Sequence, residues 1–241
     1  MPVPVLEKTI DILNYLLAHK EPLPLTDIHK SLKISKATAY NILETLAARG
    51  IVRKEEHRGG YTLGEGLAVY AHAVTSRSDH LAKIRALMVT AANELKETVK
   101  LSTLHDESAY VLDVVIPDEG YPVHSSPGRS FPLYAGGASK IILARLDESA
   151  FKSYVKRNIA EIERIFGSRD KFEQVINRVR KDGISIDEGE YETIIGAVAV
   201  DVTADEHMPL AVSCVFHRGL KSDTKINVIK ACLKHIFQPL K

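Results

Sequence analysis

Apolar residues in the N-terminal part of the chain recur at the spacing of α-helices. Four of them are separated by four, three and four positions: Leu6, Ile10, Leu13 and Leu17. This pattern predicts an amphipathic helix over residues 5–19. Similar patterns predict a short helix over residues 26–32 and a longer one over residues 36–49.

The second and third predicted helices are joined by a tight turn at Lys33 and Ile34. Ser35 suits the N-cap of the third helix, because its hydroxyl can accept a free backbone N–H, and Gly50 suits its left-handed end. The N-terminal end of this helix carries short or hydrogen-bonding side chains on its polar face, as a helix does when it reads base edges in the major groove. The residues that we predict to contact DNA there are Ser35, Lys36, Ala37, Thr38, Tyr40 and Asn41.

A predicted hairpin follows the helix-turn-helix directly, which is typical of a winged helix. Strand-like runs at residues 51–54 and 61–63 flank a glycine-containing tip. Residues 30–60 hold seven basic and three acidic residues, whereas the whole chain has a net charge of only +1. Such local positive charge is typical of phosphate binding, and we place Arg58 of the tip on the DNA backbone or in the minor groove. A generic helical hairpin with a solvated face is the alternative.

A narrow apolar stripe after the wing predicts a further helix over residues 65–78. A stripe this narrow suits a helix that packs on a partner, so we interpret it as a linker helix that can also pair in a dimer. An ordinary surface helix of the first domain is the alternative. The predicted organisation is a DNA-binding domain over 1–64, a linker helix over 65–79 and a second domain over 80–241.

Helices and strands are interspersed in the second domain. Helices are predicted over 81–95, 137–146, from 148 onward, 170–182 and 222–237. Strands are predicted over 99–105, 109–116, 121–125, 184–187, 197–203 and 210–216. Strands that are mostly sequential and flanked by helices indicate a mixed α/β chain of the α+β type, built around one antiparallel sheet.

Composition limits the kind of protein this is. A chain of 241 residues with 45% hydrophobic residues can form one or two packed domains. Its two cysteines, Cys214 and Cys232, form no CxxC motif and fit reduced thiols. No apolar run approaches the roughly 18 residues of a membrane span, and no secretory signal is recognisable. We therefore expect a cytoplasmic protein without membrane contact.

Several patterns invite a catalytic or metal-binding interpretation. The glycines before Lys140 do not have phosphate-loop spacing. The acidic residues at 188, 190 and 192 are expected to form a solvated turn, while Asp187 stays a candidate ligand-binding carboxylate. Arg129 could pair with a substrate carboxylate or be an ordinary surface residue. Since no nucleophile motif or histidine metal spacing is found, we predict neither an enzyme nor a cofactor. A small-acid-processing enzyme with an appended DNA-binding module is the alternative.

The order of these motifs resembles the IclR family of bacterial transcriptional regulators over residues 3–237. The resemblance rests on SKATAYNILETLAARGIV with a wing ending in YTLGEGL, and on the pattern P-L-x-A-x-G-A-x-K at residues 132–140. GISIDEGEYETIIGAVAVDV and the strand LAVSCVF add to it.

The resemblance implies a winged helix-turn-helix and a GAF- or profilin-like effector-binding domain. It also implies homodimers or homotetramers that bind double-stranded operator DNA, most simply as a repressor of a catabolic operon controlled by a small carboxylate. The family's effector pockets lie between the sheet and the loop-helix, where a helix N-terminus favours an anion. The positions that match the pocket are Phe131, Gly137, Ala138, Asp187, Ala197 and Ser213.

The sequence departs from the family pattern at several positions. Ile194 stands where a glycine is usual, and Ala197 where a cysteine is frequent. Val215 replaces a second polar residue, and Val200–Asp201 replaces an Ala-Pro step. These differences predict a more apolar pocket.

Overall fold

A computed structural model describes residues 3–19, 21–55, 59–75, 79–205, 208–219 and 222–240. The chain divides into two compact units, Met1–Asp79 and His80–Lys241. None of the helices in the described ranges is long and apolar enough to cross a membrane.

The described residues of the first unit form four helices and a small antiparallel sheet. In chain order its elements are α1 (Pro4–Leu17), β1 (Leu23–Pro24), α2 (Leu25–Ser31), α3 (Lys36–Ala48), β2 (Val52–Glu55), β3 (Gly60–Leu63) and α4 (Gly66–Thr75). The sheet has the order β1-β3-β2. Its core consists of Ile12, Leu16, Ile28, Ile42, Leu43, Val52 and Tyr61.

Two features of this unit were not predicted from the sequence. Leu23 and Pro24, for which no strand was predicted, form a third strand that pairs with β3. The apolar stripe that predicts α1 also remains largely at the surface, since Leu6 is 58% and Ile10 56% exposed. Ile12 and Leu16 form the buried face of α1 instead.

The second unit is a sheet with helices on both faces. Its elements are α5 (Asp79–Leu95), β4 (Thr98–His105), β5 (Ser108–Val115), β6 (Ser130–Pro132), α6 (Gly137–Ala144), α7 (Glu148–Arg157), α8 (Ile159–Phe166), α9 (Arg169–Asp182), β7 (Ile184–Asp187), β8 (Ile195–Asp201), β9 (Leu210–His217) and α10 (Ser222–Phe237). A short 3-10 turn, Gln238–Leu240, follows.

All pairs in the six-stranded sheet are antiparallel, in the order β6-β5-β4-β9-β8-β7. One face packs against α5 and α10, and the other against α6 to α9, which gives two separate apolar clusters. The predicted α+β fold with a single antiparallel sheet in this unit is therefore confirmed.

The strand predicted over residues 121–125 is wrong. These residues form no strand, and the edge of β5 is occupied instead by β6, with Ala109 opposite Phe131. Pro122 has no N–H to donate to a strand partner. The segment is held by a side chain, because the Thr98 hydroxyl donates to the Val123 carbonyl over 2.8 Å.

Candidate nucleic-acid interface and effector cavity

The helix α3 has the cap and the buried face that the sequence predicts. The Ser35 hydroxyl accepts a hydrogen bond from the Thr38 backbone N–H over 3.1 Å, and Gly50 has a φ of 68°. The apolar side of the helix is buried at Ala39, Ile42 and Leu43.

The six residues of α3 that were predicted to contact DNA differ in how free they are. Lys36, Ala37, Tyr40 and Asn41 are exposed, whereas Thr38 is half-buried. The Ser35 and Thr38 hydroxyls lie 2.8 Å apart and bond to one another. Four side chains therefore remain open to a groove, and Ser35 acts first as the helix cap. Arg58, the seventh predicted contact, lies outside the described residues.

The basic residues of this unit fall into two classes. Arg53 forms ion pairs with Glu55 and Glu65, and Lys54 lies 3.0 Å from Glu44. Lys8 of α1 has no ion pair with any residue of the described ranges, and neither have four basic residues in and beside the helix-turn-helix: Lys30, Lys33, Lys36 and Arg49. The three lysines follow one another from the end of α2, through the turn, to the start of α3. This places unneutralised positive charge at the N-terminal end of α3. In helix-turn-helix proteins the corresponding end of the second helix contacts DNA.

A cavity of about 120 Å³ lies in the second unit, on the sheet face that α6 covers. All six predicted effector contacts line it: Phe131, Gly137, Ala138, Asp187, Ala197 and Ser213. Strand register explains why they converge, since residues opposite one another on neighbouring strands point to the same face. One row runs through Asp187, Ala197 and Val215. The next runs through Ser185, Ala199, Ser213 and Lys100.

The N-terminus of α6 is brought close to the sheet by two glycines. Gly136, the N-cap, has a φ of 103°, a conformation that a side chain would strain. A Cβ on Gly137 would lie 3.3 Å from the Cβ atoms of both Ala197 and Ala199. The first backbone N–H groups of the helix therefore lie directly over β8, and the positive end of the helix faces the cavity.

A buried ion pair fixes the loop after β7 to this helix. The Lys140 ammonium is fully buried, donates to the Ile186 carbonyl over 2.7 Å and pairs with the Glu190 carboxylate. Burial raises the pKa of Glu190, and the Lys140 ammonium opposes that effect. Glu190 also accepts from the Gly136 N–H over 3.4 Å.

One sequence-based expectation is corrected by that ion pair. Glu190 does not belong to a solvated acidic turn, because it is partly buried against Lys140. Lys140 is held inside the fold, which agrees with the absence of phosphate-loop spacing in the sequence. The Asp187 carboxylate shapes the same loop by accepting from the N–H groups of Gly189 and Glu190, over 3.0 Å and 2.8 Å.

The prediction of a more apolar pocket stays a prediction. Ala197 and Val215 line the cavity, and two cations that this prediction did not include line it as well: Lys100 on β4 and Arg129 just before β6. Desolvation and, after it, the neighbouring Arg129 lower the pKa of Lys100 to about 8, although Asp187 and Glu192 act in the opposite direction.

Sequence reasoning missed Lys100 and the segment Val123–His124–Ser125, which also lines the cavity. For Lys100 a signal was available, since it alternates with buried Val99 and Leu101 and so shares a face with Ser102. Residues 123–125 were predicted to form part of a strand, so their place in the cavity wall was not recognised.

Two hydroxyls in the cavity wall have no hydrogen-bond partner in the described part of the chain. They belong to Ser213, which is 1% exposed, and to Ser125. A buried hydroxyl without a partner is unfavourable, so both are available to a bound polar molecule.

Models of two protein families match the chain. The model described as the bacterial transcriptional regulator IclR C-terminal domain matches residues 72–238. The model of the IclR helix-turn-helix domain matches residues 5–56. Together they cover both units.

Comparison with individual proteins agrees with these models. The chain is 29% identical over 197 residues to the HTH-type transcriptional regulator Rv1719 of Mycobacterium tuberculosis, covering 81% of this chain and 75% of that protein. Its fold matches the crystal structure of an IclR transcriptional regulator from Alicyclobacillus acidocaldarius with a TM-score of 0.83, 22% identity and coverage of 100% and 98%. An IclR homologue from Microbacterium hydrocarbonoxydans, crystallised with 4-hydroxybenzoate, matches with a TM-score of 0.75, 14% identity and 98% coverage of both chains.

Proposed function

Because this chain belongs to the IclR family of bacterial transcriptional regulators, we propose that it is a cytoplasmic repressor of a catabolic operon, released by a small carboxylate. The family and the curated relatives are DNA-binding transcriptional regulators, not enzymes. The proposed partners are double-stranded operator DNA, a second copy of the chain and the effector, with no further cofactor.

The observation that carries the effector proposal is the cavity under the N-terminus of α6. The helix N-terminus favours an anion there, and the unpartnered Ser213 hydroxyl in the cavity wall can bond to it. The volume is close to that of an engineered cavity of about 150 Å³ that binds benzene, so only a small acid fits. The structural neighbour crystallised with 4-hydroxybenzoate, itself a small carboxylate, supports this class.

For DNA contact we propose that α3 enters the major groove. Tyr40 and Asn41 face base edges, and Lys30, Lys33 and Lys36 contact phosphates on either side. Lys30 and Lys33 were not among the sequence-predicted contacts and are added because they carry no ion pair within the described residues. Arg58 stays a predicted contact of the wing.

The exposed stripe of α1 supports a homo-oligomer. Val3, Leu6, Ile10 and Leu17 are 51%, 58%, 56% and 41% exposed and follow the spacing of a two-helix seam. The same helix of a second copy offers an identical stripe, so the two can cover each other. An effector alters DNA binding only if it binds one arrangement of the oligomer better than the other.

The test is fluorescence anisotropy with DNA from immediately upstream of this protein's own gene, at two salt concentrations. We expect tight, salt-sensitive and sequence-preferring binding that one member of a panel of small carboxylates weakens. Binding that no carboxylate changes would contradict the effector proposal and leave the DNA proposal standing. Binding that is strengthened by the acid would contradict release from a repressor.

A further inference from the structure

The effector cavity has positive charge on two sides. One source is the N-terminus of α6, which lies over Ala199 of β8. The other is Lys100 of β4, which lies in the same row of the sheet, opposite Ser213 of β9. Because neighbouring strands are about 4.8 Å apart, the backbones of Lys100 and Ala199 are separated by about 10 Å. A small molecule between them can meet both.

Lys100 and Arg129 converge on one aromatic ring. The Lys100 Nζ lies 4.6 Å and the Arg129 Cζ 5.3 Å from the centre of the Phe131 ring. Neither side chain has a hydrogen bond or an ion pair with any residue in the described ranges. Arg129 lowers the pKa of Lys100, which indicates that the two cations repel one another. An anion between them would relieve this repulsion and supply the missing hydrogen bonds.

The hydroxyl of Ser213 connects the two positive regions. It is buried and unpartnered, and its position in the row is between Lys100 and Ala199. The nearby carboxylates, Asp187 and Glu192, do not lie within ion-pair distance of Lys100. The Ser213 hydroxyl is therefore a hydrogen-bonding group between the helix N-terminus and the two cations.

We propose that the effector is a small dicarboxylate, with one carboxylate at the N-terminus of α6 and the other between Lys100 and Arg129. This inference rests on the proposed function, in which the cavity takes a small carboxylate. The planar guanidinium of Arg129 and the ammonium of Lys100 form strong hydrogen bonds with carboxylate oxygens. The cavity volume of about 120 Å³ favours a short acid over a phosphorylated sugar acid.

The test compares each of three dicarboxylates, succinate, glutarate and adipate, with its own monoamide. Each pair has nearly the same length and shape, but the amide lacks one negative charge. We expect isothermal titration calorimetry on the full chain to give at least one diacid that binds about tenfold or more tightly than its monoamide. In Lys100→Met the ratio should approach one, because the monoamide keeps its carboxylate at α6.

Arg129→Gln provides a second variant at an exposed position, and circular dichroism checks that both variants fold. Lys152→Met, a lysine paired with Glu148 on the surface of α7, is the matched control and should keep the ratio. Equal affinities for diacid and monoamide in the unmodified chain, or an unchanged ratio in Lys100→Met, would overturn the dicarboxylate proposal alone. Absence of binding by these diacids, their monoamides and a panel of monocarboxylates would overturn the proposed carboxylate effector as well.

Discussion

At the scale of single residues, the position of Lys100 in the sheet gives its amine an unusual pKa, and the effect of that pKa on binding can be measured. Its pKa of about 8 in the free protein follows first from desolvation. The other charged or titratable residues that line the cavity in the described ranges are His124, Arg129, Asp187, Tyr191 and Glu192. A bound carboxylate stabilises the protonated amine, so the pKa of Lys100 rises on binding and diacid affinity falls as pH exceeds 8.

We therefore expect diacid binding to weaken by about tenfold between pH 7 and pH 9, because Lys100 deprotonates about pH 8 in the free protein. Calorimetry at pH 7, 8 and 9 measures this dependence. Lys100→Met retains all the other titratable groups of the cavity, so its diacid affinity should vary much less. An equally steep pH dependence in that variant would assign the effect to another group.

The unpaired lysines of the first unit lead to a second prediction at this scale. Lys36→Ala and Lys33→Asn should each make the negative slope of log K for DNA binding against log salt less steep. The expected change is about 0.9, the value for one lost phosphate contact. Asparagine is chosen because position 33 has a φ of 53°, which asparagine tolerates better than most residues. Anisotropy over a salt series measures the slope. Lys152→Ala removes the same charge from the second unit and should leave the slope unchanged, whereas an unaltered slope in both variants would contradict the phosphate assignment.

At the scale of elements, periodicity predicted the helices, the central strands and the edge strand β7 well, and the opposite edge of the large sheet poorly. The helix α10 begins and ends where its apolar spacing predicts, because residues such as Ile229 and Leu233 pack on the sheet. The segment 121–125 shows the limit. Its composition suits a strand, but whether it becomes one depends on which chain segment reaches the edge of β5, and β6 occupies that edge.

The same limit applies to the candidate site. Loop-helix residues such as Gly137 could be located from sequence, because helix starts have local signals. For Lys100, alternation along β4 indicates only which face of the strand carries it. Its place beside Ser213 follows from the register of β4 with β9, a long-range pairing that local pattern does not determine. The apolar stripe of α1 predicted only that the segment is helical. Periodicity does not indicate whether such a stripe is buried within its own unit or left exposed.

The junction between α3 and α4 provides a prediction for elements. The Gly66 N–H donates to the Gly50 carbonyl over 2.9 Å, and the Gly64 N–H donates to the Ile51 carbonyl over 2.8 Å. A Cβ on Gly66 would lie 2.6 Å from the Gly50 oxygen, which forces the backbones apart. Gly66→Ala should therefore lower the free energy of unfolding of the first unit by about 1–3 kcal/mol and weaken DNA binding.

Urea unfolding and anisotropy test this variant together. Gly219→Ala is the control, since a Cβ there would meet no heavy atom within 4 Å. If Gly66→Ala unfolds and binds DNA like the unmodified chain, the backbone contact between the end of α3 and the start of α4 does not hold the recognition helix in place.

At the scale of the whole molecule, the proposed effector binding and the proposed DNA binding are coupled only through an oligomer. One winged helix contacts one half-site, and affinity for a full operator requires two of them on one particle. The largest apolar exposure in α1 is the stripe that includes Leu6 and Ile10. Each large apolar side chain that is buried instead of exposed to water contributes about 1.5–3 kcal/mol. Covering this stripe with a second copy of the chain would therefore stabilise the oligomer.

The paired substitution Leu6→Glu with Ile10→Glu should therefore halve the mass of the particle, from dimer to monomer or from tetramer to dimer, because the charges would face one another across the seam. Multi-angle light scattering measures the mass, and anisotropy should show operator affinity falling more than affinity for a single half-site.

Tyr121→Glu changes another exposed residue, 93% exposed, and should leave the mass unaltered. The buried residues Ile12 and Leu16 on the opposite face of α1 keep the first unit folded in the paired variant, so a lower mass with unchanged circular dichroism would assign the seam to α1. An unchanged mass would place the oligomer contact on another surface, and the effector would then have to act on DNA binding through that surface instead.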